Sequence, residues 1–378
     1  MSAKFHKVIV ASDSFKGCLS SKQVAEGVEA AILTCCPECQ VAKLAVADGG
    51  EGTVDALLET MGGRRVAVEV SGPLGRPCMA EYAILNDGVT AVLEMSSASG
   101  LVLLAPQERN PLLTSTYGTG QMIADALARG CRRILVGIGG SATNDAGMGM
   151  LEALGCRFMD KDGNILKGCG ASLSDVADID MSGLMTGVHE AQFVVACDVD
   201  AAFYGPEGAA YVYAPQKGAS QVVVEQLDMG LRNIADVMMR IAGIDVQKIP
   251  GAGAAGGLGG TFKAFLNAEL QRGADMVLDA IGFDDIIRNA DLVITGEGKI
   301  DAQTMTGKLP YTVAQRAALQ GIPVIALCGV SEIRTHALFS QICPITPSEI
   351  PLEAAMIPSA ATRNLMVTIS NLFKKQKN

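Results

Sequence analysis

Short runs of consecutive apolar residues alternate along the chain with longer stretches in which apolar positions recur every three or four residues, the pattern of βαβ units around a mostly parallel sheet. Lys7 to Ser12 predicts a strand and Lys22 to Leu33 a helix; Val41 to Ala47 predicts the next strand and Thr53 to Met61 the next helix. From Val66 the texture changes. Val66 to Val70, Ala80 to Leu85 and Val89 to Met95, separated by Gly72-Pro73 and Asn86-Asp87-Gly88, read as hairpin-connected strands. Alternation of helix and strand resumes through Gly118 to Ala128, Arg133 to Ile138, Ala146 to Leu154 and Phe193 to Ala196, followed by a long amphipathic helix around Val222 to Ile241. Beyond the glycine-rich Gly251 to Gly260 come Phe262 to Leu270, a strand at Leu292 to Thr295, a helix at Tyr311 to Leu319 and a strand at Val324 to Cys328. The order predicts two α/β lobes: a mixed-sheet lobe over residues 65–284, inserted into a lobe built from residues 1–64 and 285–378.

A length of 378 residues accommodates two such lobes at about 150 residues per domain. With 30 Lys and Arg against 40 Asp and Glu the formal net charge is −10, and no basic run offsets it, which argues against nucleic acid or an anionic membrane as partner. No apolar segment reaches the ~18 residues of a membrane span, and Val8 to Ala11 is too short for a secretion signal, so a cytoplasmic protein is expected. The eleven cysteines are an odd number in mostly apolar segments, which reads as reduced thiols. Cys36-Pro-Glu-Cys39 follows a helix and lacks a second pair, so it reads as structural.

Glycine is abundant, 43 residues or about 11% against a usual ~7%, and it clusters after the predicted strands. In open α/β sheets ligands bind beyond the carboxyl ends of strands. Five such ends carry carboxylates: Asp13, Asp48 with Glu51, Asp145, Asp198 with Asp200, and Glu297 with Asp301. Singly, Asp48 or Asp145 has an ordinary explanation as a helix cap. Together they suggest a divalent cation or a proton transfer. Gly139-Gly140-Ser141, aimed by the strand before it, is expected at a helix N-terminus, where backbone N–H groups favour phosphate. Gly251-Ala-Gly-Ala-Ala-Gly256 matches GxGxxG but follows Ile249-Pro250 rather than a strand, so it reads as a glycine-rich helix entry or a hinge. In Thr306-Gly-Lys-Leu309 a Leu stands where a P-loop has Ser or Thr, and the protein-kinase motifs are absent.

As a set, Asp13-Ser-Phe-Lys-Gly17, Ala47-Asp-Gly-Gly-Glu-Gly-Thr-Val-Asp55, Gly139-Gly-Ser-Ala-Thr-Asn-Asp145, Pro250-Gly-Ala-Gly-Ala-Ala-Gly-Gly257 and Thr295-Gly-Glu-Gly-Lys-Ile-Asp301, with Gln303-Thr304 and Gly307-Lys308, resemble the bacterial type I glycerate kinase family. The resemblance implies one flavodoxin-like lobe, one mixed α/β lobe, a site in the cleft between them, and transfer of phosphate from ATP with Mg²⁺ to D-glycerate, typically giving 2-phosphoglycerate. The chain departs from the family pattern after Asp200, where Ala201-Ala202-Phe203 replaces an Asn-Pro pair.

On that reading Gly139, Gly140, Ser141, Asn144, Gly253, Gly256, Gly257, Gly296 and Lys308 would bind the nucleotide, and Asp198 and Glu297 would hold Mg²⁺. Asp48 or Asp145 would take the substrate hydroxyl proton, while Lys16, with Lys308, would steady the substrate carboxylate or the moving phosphoryl group. Asp198-Val199-Asp200 leaves an aspartate-nucleophile phosphatase as the alternative enzyme, and a non-catalytic sugar-acid or nucleotide sensor on the same scaffold as the alternative to an enzyme. Homo-oligomerisation stays open.

Overall fold

A computed structural model describes residues 5–375. The chain divides into two compact units, one formed by Met1–Asp48, Asp55–Thr60 and Val277–Asn378, the other by Gly49–Val54 and Met61–Met276.

The first unit holds a sheet of five parallel strands in the order Gln341–Pro344, Val324–Ser331, Leu292–Ile300, Lys7–Ser12, Gln40–Ala45. Numbered within the unit, this is the doubly wound order 2-1-3-4-5 of flavodoxin-like folds, with its direction switch between Lys7–Ser12 and Leu292–Ile300. Val8, Ile9, Val10 and Ala11 are all fully buried, as expected of a central parallel strand covered on both faces. Beneath one face lies the helix Ser21–Cys35, started by a capping box between Ser20 and Gln23. Its Val24, Val28 and Ile32 pack with Leu365, Ile369 and Phe373 of the helix Pro358–Lys375.

The second unit is built on a six-stranded sheet in the order Glu269–Gln271, Gln192–Ala196, Arg133–Gly137, Thr90–Glu94, Pro77–Leu85, Gly63–Ser71. The first four strands are parallel, and the last two return as antiparallel neighbours. A small antiparallel sheet of Ile165–Leu166, Arg157–Met159 and Asp178–Asp180 is attached, and the helix Gln221–Ala242 closes the core with Leu227, Leu231 and Ile234.

Predicted and observed elements differ in three informative places. The strand expected at Leu292 to Thr295 runs on to Ile300 through Gly296-Glu297-Gly298, whose small residues let the neighbouring strand approach closely. The helix expected from Ala146 begins at Met148, seven residues beyond Ser141, so Gly139-Gly140-Ser141 is a strand-end loop and not a helix N-terminus. The Gly251 to Gly260 tract lies at and inside the helix Ala254–Leu266, which is interrupted by left-handed backbone at Ala255, Gly256 and Gly257.

Candidate active site

Each unit carries a pocket at the carboxyl ends of its parallel strands. In the first unit the pocket, about 390 Å³, opens at the switch point of the sheet. There the chain leaving Lys7–Ser12 is tied to the neighbouring strand by Asp13 N–H donating to Gly296 O at 2.9 Å. The Asp13 carboxylate accepts from Ser14 N–H at 2.6 Å. Lys16 Nζ lies 3.4 Å from Asp48 Oδ2. Glu297 accepts from Thr304 Oγ1 at 2.6 Å through one oxygen and stands 3.7 Å from Lys308 Nζ through the other. With Asp301 and Lys299, which pair at 3.5 Å, four carboxylates and three ammonium groups thus share one pocket, whose remaining wall includes the apolar Ile345, Leu352 and Met356.

The crowding shows in the proton affinities. Burial first, and the neighbouring Asp48 second, push the Asp13 carboxyl up to about 6. Burial likewise raises Glu297, against its bond from Thr304 and the charge of Lys308. Lys16 is raised, chiefly by Asp48.

In the second unit a pocket of about 340 Å³ lies where Arg133–Gly137 and Gln192–Ala196 end. Gly139, Gly140 and Ser141 form one side, and Cys197 and Asp198 another. Asp198 Oδ1 accepts from Gly273 N–H at 2.9 Å. Gly49 and Gly50 complete the wall; Gly49 has φ +85°, and a Cβ there would meet the backbone of Gly273. Lys217 is 2% exposed, and its Nζ donates to Ser141 Oγ at 2.8 Å and to Thr143 O at 2.6 Å.

Lys16, Asp48, Glu297 and Lys308 therefore line one pocket, and Gly139, Gly140, Ser141 and Asp198 the other. Asp145, Asn144, Gly253, Gly256, Gly257 and Gly296 line neither. Asp145 is fully buried, and its carboxylate accepts from Thr116 N–H and Oγ1 at 2.8 Å each, from Gly147 N–H at 3.1 Å and from Gly149 N–H at 3.2 Å. It ties the start of the helix Met148–Ala153 to the start of Tyr117–Ala128. Asn144 is buried with neither side-chain polar atom hydrogen-bonded. Gly256, at φ +73°, has Thr143 O and Asn144 Cα where a Cβ would go, so it serves backbone packing. In the departing loop, Phe203 is fully buried against Gly257 and Gly260, which anchors the segment in place of an Asn-Pro turn.

Sequence reasoning assigned no role to Asp13, Lys217 or Thr304. Asp13 was visible as a strand end, but its position at the switch point requires the strand order. Lys217 carries no local signal, since its partners lie more than seventy residues away. Among the described residues no group of three or more His, Cys, Asp or Glu is arranged to hold a metal ion, and no helix is long and apolar enough to cross a membrane.

One unit with a doubly wound sheet that gathers opposed charges at its switch point, and one with a glycine-lined pocket at its strand ends, define an α/β protein with pockets where open sheets bind ligands. The sequence model of the Glycerate kinase family matches residues 8–377, and the chain belongs to that family. It is 45% identical over 353 residues to the glycerate kinase of Bacillus subtilis (strain 168), covering 92% of each chain. It is 40% identical over 373 residues to the glycerate 2-kinase of Escherichia coli (strain K12), covering 96% of this chain and 98% of that one. A crystal structure of a candidate glycerate kinase 2 from Salmonella typhimurium LT2 superposes with a TM-score of 0.90 at 41% identity, covering 99% of this chain and 98% of that one.

Proposed function

We propose that this chain transfers the γ-phosphoryl group of ATP to D-glycerate, giving 2-phosphoglycerate, in the cytoplasm. The observation that carries the reading is the cluster of Asp13, Lys16, Asp48, Glu297 and Lys308 at the switch point of the first unit. It combines cations for a carboxylate or phosphoryl group with a carboxylate poised to take a proton, and phosphoryl transfer asks little more of a protein than such positioning and charge.

Lys16 and Lys308 hold the glycerate carboxylate and the charge that develops on the moving phosphoryl group. Asp13 accepts the hydroxyl proton: a carboxyl raised to about 6 is ionised at neutral pH yet basic enough to compete for that proton. Asp48 keeps Lys16 charged and aimed. Asp145, sealed among backbone N–H groups, serves as scaffold. The nucleotide phosphates are received by the Gly139-Gly140-Ser141 loop of the second unit.

Carboxylate oxygens suit Mg²⁺, which commonly binds through one or two carboxylates together with substrate phosphates. Glu297 in the pocket of the first unit, or Asp198 in that of the second, would hold it, and when bound the ion would neutralise phosphate charge.

Incubation of the protein with ATP, Mg²⁺ and D-glycerate, followed by NMR of the product, tests the proposal. The expected product is 2-phosphoglycerate, formed with one ADP; free orthophosphate, or phosphate on the 3-hydroxyl, would contradict it.

A further inference from the structure

Among the described residues Lys217 is the one buried cation, and phosphoryl transfer as proposed leaves it without a task. It ends the turn Pro215–Lys217, just after the helix Ala209–Tyr213, of which Ala209 and Ala210 are buried. An ammonium kept from water is costly unless its hydrogens are taken up, and two of its three are, by Ser141 Oγ and Thr143 O. Burial pulls its proton affinity down to about 7, with Asp145 acting in the other direction. Asp198, Cys197 and Tyr213 line the same pocket.

The chemistry of the pair gives it direction. An ammonium only donates, so at Ser141 the oxygen must accept, and the hydroxyl hydrogen is left to point away from Lys217. A hydroxyl that would otherwise donate or accept is thereby made a donor, in a pocket wall shared with Gly139 and Gly140. Phosphate oxygens are acceptors only. By binding Thr143 O as well, the same ammonium pins the loop two residues further on.

We propose that Lys217 is the positioning residue of a phosphate-binding loop, polarising Ser141 into a hydrogen-bond donor for a nucleotide phosphate and fixing the path of residues 139–143. The inference rests on the reading that this loop receives ATP.

The test uses the full-length protein, with ADP binding by calorimetry beside steady-state kinetics, for wild type, Ser141→Ala, Lys217→Met and the double variant. Each single change is expected to weaken ADP binding and raise KM for ATP by about tenfold, with kcat at saturating ATP and KM for D-glycerate shifted by less than about threefold. The double variant should bind ADP no worse than Lys217→Met, because both changes remove one coupled device. A folded Lys217→Met with wild-type ADP affinity, or a double variant whose loss is the product of the two singles, overturns the proposal. Should Lys217→Met fail to fold, Ser141→Ala and Ser141→Thr decide: loss in the first and recovery in the second, which keeps the hydroxyl, support it, and wild-type affinity in Ser141→Ala overturns it. Wild type that binds ADP but leaves D-glycerate unphosphorylated sinks the acceptor assignment alone, whereas wild type that binds no ADP sinks the loop reading and this inference with it.

Discussion

Asp13 and Asp145 are both carboxylates that follow a strand, and their surroundings separate them. Asp13 faces a pocket beside Asp48 and Lys16; Asp145 faces four hydrogen bonds and no solvent. If Asp13 is the base, kcat/KM should fall tenfold per unit as pH drops below about 6. In Asp13→Asn that limb should vanish along with about 10²- to 10⁴-fold of the rate. The same substitution should stabilise the fold. A carboxyl raised in the folded state adds stability below its unfolded value near 3.8 and loses it as pH rises through about 6, so above pH 7 the ionised group is a burden that Asn lacks. The gain expected from thermal melts at pH 8 is about 1–2 kcal/mol, one pKa unit being ~1.4 kcal/mol and a partly exposed group being partly screened, and it should shrink toward zero by pH 4. Burial raises Asp145 as well, but here Asn would set an NH₂ group among N–H donors, so Asp145→Asn should do the reverse and cost about 1–3 kcal/mol. An Asp145→Asn protein with the wild-type melting temperature and no turnover would contradict its role as scaffold. Both carboxylates were visible in the sequence at strand ends, but only Asp145 was given a role; burial and partners tell them apart, and those come from contacts 29 residues away for Asp145 and from Asp48 and Gly296 for Asp13.

At the scale of elements, apolar runs such as Val8 to Ala11 and the capped helix after Ser20 were legible, because periodicity and caps are local. The strand Leu292–Ile300 was legible only in its first half. Gly296-Glu297-Gly298 has the composition of a loop, and it stays extended because Gly296 admits Leu327 O and Ser12 Oγ beside it, a tertiary reason. That extension places Glu297 on a strand rather than a loop. The glycine-rich entry to Ala254–Leu266 is open from sequence to two readings, a phosphate-binding helix entry or a hinge; in the structure Gly256 accommodates the backbone of Thr143 and Asn144. Gly256→Ala should therefore lower the melting temperature by several degrees, since a left-handed residue with no room for a Cβ costs about 1–3 kcal/mol or more. A melting temperature within one degree of wild type would show that this contact is not what the glycine serves.

For the whole molecule, the alternation of elements indicated two α/β bodies and their class, while strand order, which makes one sheet 2-1-3-4-5 and so gives Asp13 its position, required the fold. The glycine excess and the acidic balance likewise acquire meaning from placement: glycines admit backbones to one another, and the carboxylates that matter share a pocket with lysines. At this scale the proposal is that the switch-point cluster of a glycerate kinase family member performs acceptor-dependent phosphoryl transfer. The most direct measurement is the initial rate of ADP release from ATP, with and without D-glycerate, for wild type and Asp13→Asn side by side. Release should depend on D-glycerate in the wild type and fall by at least about a hundredfold in a folded Asp13→Asn. Release indifferent to D-glycerate, or an Asp13→Asn variant as fast as wild type, would contradict it.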